Sequence, residues 1–153
     1  MRKRLIAVVG SGYEEDLELL SKARQVGELV AENGFVLITG GLGGVMEAAC
    51  AGAHNKAGIV VGILPGARPD QANCYVGIAI ATGLQEARNA VIATAADALI
   101  AVSGEYGTLS EIALALKLGK PVVTLSSQWD KIAGTTRVDT PKEAIEYLKT
   151  ILT

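Results

Sequence analysis

Aromatic residues are scarce in this chain: one Phe, one Trp and four Tyr among 153 positions. A core must therefore be built from Ala, Val, Ile and Leu, with glycines letting backbones approach closely. Histidine is nearly absent. His54, the only one, reads as a helix-end residue with no catalytic partner, and no metal centre is expected. The two cysteines, Cys50 and Cys74, show no CxxC or other metal-ligand spacing. Cys50 lies among alanines and reads as a small core residue, so a reduced, cytoplasmic setting is expected. Long apolar runs are missing as well. The nearest, 90–102, is interrupted by Thr94 and Asp97, short of the roughly 20 apolar residues that cross a bilayer. No secretory signal pattern opens the chain, and no membrane partner is expected. Basic charge is not in excess, with a formal net charge of −2. The run Arg2-Lys3-Arg4 reads as a solvated flank before the first strand, and without a basic stripe no nucleic acid partner is expected.

What the chain does have is apolar residues at half its positions, charged residues at a fifth, and 18 glycines. That balance predicts a globular fold, and the length suits one domain over 1–153. Strand and helix patterns alternate throughout. Apolar strands are predicted over 5–9, 35–39, 59–64, 75–81, 98–102 and 121–125, with a short extended piece near 136–138. Helices are predicted over 14–33, 45–55, 84–95 and 109–118. A last helix opens at Thr140-Pro141-Lys142-Glu143 with a capping box and Pro in first position. Strands that are apolar throughout and joined by helices predict a three-layer, Rossmann-like α/β fold. Its sheet is doubly wound and mainly parallel, with about six or seven strands.

Every strand of such a sheet points its carboxyl end at one edge, and ligands bind there. Gly10-Ser11-Gly12, Gly40 to Gly44, Pro65-Gly66, Arg88 and the segment Ser103 to Glu111 all fall at that edge. Gly10-Ser11-Gly12 opens like a dinucleotide fingerprint, but Glu15 occupies its sixth position, which argues against NAD. A turn that admits a ligand and a purely structural turn both fit it. Gly40-Gly41-Leu42-Gly43-Gly44 lacks the Lys-Ser/Thr of a P-loop, so a mono- or diphosphate fits better than a triphosphate with Mg²⁺. Gly104, Gly107 and Thr108 lead into a helix N-terminus, where backbone N–H groups and the helix dipole favour an anion. Arg88 suits a bidentate clamp on phosphate or carboxylate, or an exposed helix surface. Glu111 also has two readings. It is a carboxylate beside a ribose phosphate, assisting glycosidic cleavage, or the last member of a capping box, Thr108-x-x-Glu111. Trp129 reads as a packing residue.

These segments together resemble the lonely-guy (LOG) superfamily, long labelled possible lysine decarboxylases. Its hallmark PGGxGTxxE is matched in register by Ser103-Gly104-Glu105-Tyr106-Gly107-Thr108-Leu109-Ser110-Glu111. Its upstream GGGxxGLMGA is similar to the shortened Gly40-Gly41-Leu42-Gly43-Gly44-Val45-Met46-Glu47-Ala48. The family's Arg-Lys pair corresponds to Arg88-Asn89. The resemblance implies a homodimer or homotetramer and a phosphorylated small-molecule ligand. In LOG enzymes that ligand is a nucleoside monophosphate, cleaved to base and ribose 5-phosphate without a cofactor. By position, Arg88 and Glu111 would then be catalytic, with Gly107 and Thr108 on the phosphate.

Three departures stand out: Ser103 for Pro, Glu105 for Gly and Asn89 for Lys. The run through Ala87-Arg88-Asn89-Ala90 and from Gly107 to Pro121 is closer to a sub-branch that includes molybdenum cofactor carrier proteins. A DNA-processing relative shares the fold. That branch implies a molybdopterin-type ligand and no hydrolysis. Decarboxylation finds no support, because pyridoxal chemistry needs a Schiff-base lysine at the site, while Lys56 and Lys120 precede strands and Lys117 lies late in a helix. The expected site is therefore Gly10, Ser11, Gly12, Gly40, Gly41, Gly43, Gly44, Met46, Pro65, Arg88, Gly104, Gly107 and Thr108, with Glu111 added for a hydrolase.

Overall fold

A computed structural model describes residues 1–152. Among these described residues seven strands form one sheet: β1 (Leu5–Val9), β2 (Val36–Thr39), β3 (Val60–Leu64), β4 (Ile78–Ala81), β5 (Ala98–Val102), β6 (Val122–Leu125) and β7 (Thr136–Val138). Their order is β4-β3-β2-β1-β5-β6-β7, and every pairing is parallel. The chain winds outward from β1 to β4, returns to β5, and winds outward the other way. The switch point therefore lies between β1 and β5.

The sheet is covered by the helices α1 (Leu17–Glu32), α2 (Gly44–Asn55), α3 (Arg88–Ala95), α4 (Tyr106–Lys117) and α5 (Pro141–Leu152). Alternation along each strand sorts them into two layers. Ile6 and Val8 of β1 pack with Val26 of α1, Ala49 of α2 and Ile145 of α5 on one face. Ala7 and Val9 pack with Ile92 of α3 and Ile112 of α4 on the other. On the first face α1 and α2 press close at two glycines. A Cβ on Gly27 would collide with the Ala49 carbonyl oxygen, and one on Gly52 with that of Arg24.

Several element boundaries differ from the sequence expectation. Helix α1 starts at Leu17, not Glu14, because Asp16 caps it by accepting from the Glu18 and Leu19 amides. Strand β4 is confined to Ile78–Ala81. A 3₁₀ turn, Gln85–Ala87, precedes α3. Helix α4 starts at Tyr106, three residues early. Ser103 and Gly104 turn the chain sharply after β5, with φ of 55° and 125°, and Glu105 becomes the N-cap residue. Ser103 stands where the LOG pattern has proline, and its positive φ is closed to that ring.

At the opposite edge Arg2 donates two hydrogen bonds to Asp97, at 2.9 and 2.7 Å, and Asp97 also accepts from the Leu5 amide at 2.9 Å. The Arg2 guanidinium and the Leu5 amide hold the Asp97 carboxyl well below the usual carboxylate range, against its partial burial. A depressed folded-state value gives stability that is present near neutral pH and fades as pH falls below about 4. Asp97→Ala is expected to destabilise by about 1–3 kcal/mol at pH 7, with the difference from the parent shrinking toward pH 2. Denaturant titrations at both pH values check this.

Candidate functional site

At the carboxyl edge, over the switch point, the segments after β1, β2, β3, β4 and β5 enclose a cleft of about 440 Å³, a size that suits a small organic ligand. Of the residues expected from sequence, Gly10, Ser11, Gly12, Gly40, Gly43, Met46, Pro65, Arg88, Gly107, Thr108 and Glu111 line it. Gly104 instead lines a neighbouring hollow of about 380 Å³, which shares Ser11, Tyr13 and Glu105 with the cleft. Gly41 and Gly44 lie behind the lining. Gly44 has a φ of 59°, and a Cβ there would collide with the Ser11 carbonyl oxygen. It is the residue that lets α2 begin against the β1 loop.

Two helices open onto this cleft. The N-cap residues of α2 and α4 are Gly43 and Glu105, and neither makes a side-chain cap hydrogen bond. In α2 the Val45 amide donates to the Ser11 carbonyl at 3.0 Å, which leaves the Gly44 and Met46 amides available; in α4 the first-turn N–H groups carry no cap, and a helix dipole stands behind each set. Thr108 sits in the first turn of α4, buried at the cleft wall. Glu105 lies at the rim with its side chain exposed; its carbonyl accepts from Trp129 Nε1 at 3.2 Å. Trp129 thus braces the loop, and its ring faces Tyr106 at 6.2 Å between centroids.

Arg88 is not an exposed helix arginine. Its Nη1 donates to the carbonyls of Gly40 and Ile63, both at 2.7 Å, at the ends of β2 and β3. Gly40 must be glycine for this, since a Cβ would strike Arg88 Nη1 and Met46 Sδ. Arg88 Nε is sealed without a partner among the described residues. Burial lowers the Arg88 pKa, while Glu111 and Glu86 work to raise it.

Glu111 is not a helix cap either. Because α4 starts at Tyr106, Glu111 falls in the second turn, only 8% exposed. Its carboxyl has no hydrogen-bond or ion-pair partner among the described residues, and its oxygens are not sealed from solvent. They open to the cleft. Burial pushes its pKa up to about 8, against the pull of Arg88. A largely neutral carboxyl at pH 7 is suited to giving a proton or to pairing with a ligand edge.

Sequence reasoning missed Val8, Val9, Tyr13, Leu42, Gln85 and Glu86 as lining residues. It noted Asn89 and Glu105 as departures but did not place them in the site. Asn89 is 9% exposed, lines the cleft, and donates to Ser110 Oγ at 3.1 Å. Ser110 donates in turn to the Gly107 carbonyl at 2.6 Å. This chain ties α3 to the start of α4. An amide side chain beside Arg88, at the start of a helix that is otherwise apolar but for Thr94, was the available signal.

The model of the SLOG cluster4 family matches residues 3–151. The molybdenum cofactor binding protein of the phototrophic bacterium Rippkaea orientalis superposes with a TM-score of 0.94 at 39% identity, over 100% of this chain and 99% of that one. The molybdenum cofactor carrier protein of Chlamydomonas reinhardtii gives 0.90 at 35% identity, over 99% of both. A probable cytokinin riboside 5′-monophosphate phosphoribohydrolase, LOGL5 of Oryza sativa subsp. japonica, is 33% identical over 113 residues, 72% of this chain and 46% of that protein.

Proposed function

This chain belongs to the SLOG cluster4 family, and from that premise we propose that it binds a phosphorylated pterin of the molybdenum cofactor type and acts as its carrier. The observation that carries this reading is the pair of helix N-termini, α2 and α4, that meet at one cleft with no side-chain cap. Such ends hold a phosphate through backbone N–H groups and dipoles. The Rippkaea and Chlamydomonas proteins, alike over their whole length, supply the ligand class. Arg88 and the glycine turns would hold the cargo, and the chain's residues supply position and shielding from water.

A test compares 6-hydroxymethylpterin with its monophosphate by equilibrium titration. The phosphate is expected to tighten binding at least tenfold, and added salt to weaken it. Equal affinity for both forms would overturn the phosphate cradle.

One observation favours a second reading as a phosphoribohydrolase. Glu111 is a buried, uncapped carboxyl with its pKa pushed up to about 8 beside Arg88, which suits a general acid for a leaving base. Incubation with AMP and N6-substituted AMP separates the two. The carrier reading expects no free base; release that Glu111→Gln abolishes would establish the hydrolase.

Self-association and a cytoplasmic setting belong to the same proposal. Ile78 and Ile80 on edge strand β4 are about half exposed, and a second copy would cover them. No helix among the described residues is long and apolar enough to cross a membrane.

A further inference from the structure

Resting on the phosphate-cradle reading, the geometry points to a ring-reading pair. We infer that Arg88 and Glu111 together recognise the 2-amino-4-oxo edge of a pterin or guanine ring, in preference to the edge of adenine.

Arg88 is anchored and still has a donor to offer. Nη1 is used on the Gly40 and Ile63 carbonyls, and Nε is sealed. Among the described residues Nη2 is neither hydrogen-bonded nor sealed, so it is the donor presented to the cleft. Glu111 presents two oxygens that have no partner among those residues. The two side chains line one cleft without forming an ion pair, which leaves both to take a ligand edge. The array they offer is one donor and, once Glu111 ionises, two acceptors.

A 2-amino-4-oxo ring offers the complement in order: the O4 acceptor (O6 in guanine), the ring N–H donor and the amino donor. Adenine offers only one donor and one acceptor on the matching edge and leaves Arg88 unpaired. A buried site that loses such a partner discriminates strongly, by roughly tenfold or more per bidentate pair.

Protonation sharpens the distinction. Burial pushes the Glu111 pKa up to about 8. Two ring donors require the carboxylate, so binding a pterin or guanine ring should release a proton below that pH. The other charged or titratable groups facing the cleft are Arg88, which favours ionisation, Glu86, Glu105 and Tyr13. Affinity for the 2-amino-4-oxo rings should therefore rise between pH 6 and 8. Adenine pairs with the neutral acid, so its affinity should fall over the same range.

The test uses purified full-length protein with GMP, IMP, AMP, 6-hydroxymethylpterin monophosphate and inorganic phosphate. GMP and the pterin monophosphate are expected to bind at least tenfold more tightly than AMP at pH 8, with IMP between them because it lacks the amino donor. Glu111→Gln, near-isosteric, should erase that preference and the difference in pH slope between GMP and AMP, with inorganic phosphate reporting in parallel whether the cradle still binds. If all the monophosphates and phosphate itself bind, but equally and without a pH slope, the ring-reading inference fails and the cradle stands. If neither phosphate nor any monophosphate binds, the cradle reading fails with it. Tighter binding of AMP than of GMP would assign the neutral acid to an adenine ring and overturn the inference.

Discussion

Glu111→Gln is expected to make the protein more stable, by on the order of 3 kcal/mol at pH 7. The unfolded chain ionises this carboxyl near pH 4.5, whereas burial in the folded state holds it back to about 8. Between those values the unfolded state binds fewer protons than the native one. Stability of the parent therefore falls as pH rises from about 4.5 to 8. The substituted amide has no proton to lose, so that slope should vanish in the variant. The two proteins should have similar stability near pH 4.5 and diverge above it. For a domain of this length the gain at pH 7 corresponds to about 6–12 °C in Tm. Scanning calorimetry at pH 4.5, 6 and 8 measures it, and parallel pH profiles would show that Glu111 finds a partner the structure does not contain. A buried carboxyl kept without a partner, at a cost in stability, is what a binding site retains and a core removes.

The second large effect lies on the other face of the sheet. Gly27→Ala is expected to destabilise by about 2–3 kcal/mol, despite the roughly 1 kcal/mol that Ala gains in helix propensity. The added methyl meets the Ala49 carbonyl oxygen, which is backbone and cannot rotate aside. Relief requires α1 and α2 to separate along a contact they also share at Gly52. Chemical denaturation reads the loss. A change below about 0.5 kcal/mol would mean that the two helices slide apart freely.

Strands β1 to β6 were legible because each is a largely apolar run bounded by turn residues, while β7, Thr-Arg-Val, showed only as a short extended piece. Which edge carries the cleft was legible too, since parallel strands point their carboxyl ends at one edge. Two features were not. The role of Glu111 depends on where α4 begins, and that is decided by the positive φ of Ser103 and Gly104, not by the Thr-x-x-Glu spacing. The setting of Arg88 depends on carbonyls at Gly40 and Ile63, 48 and 25 residues away. A long-range anchor of this kind leaves no local pattern, although the need for glycine at position 40 is its imprint.

The two helical layers also divide the site between them. One uncapped helix end, that of α2, comes from the layer of α1, α2 and α5; Arg88 and Glu111 both come from the layer of α3 and α4. On the proposed reading, substitutions in the thinner layer would alter which ring is accepted while the α1–α2 contact and the α2 half of the anion cradle stay as they are. Within a lineage built on this frame, ligand identity would then be free to drift on one side of the sheet while the other side keeps its share of the cradle.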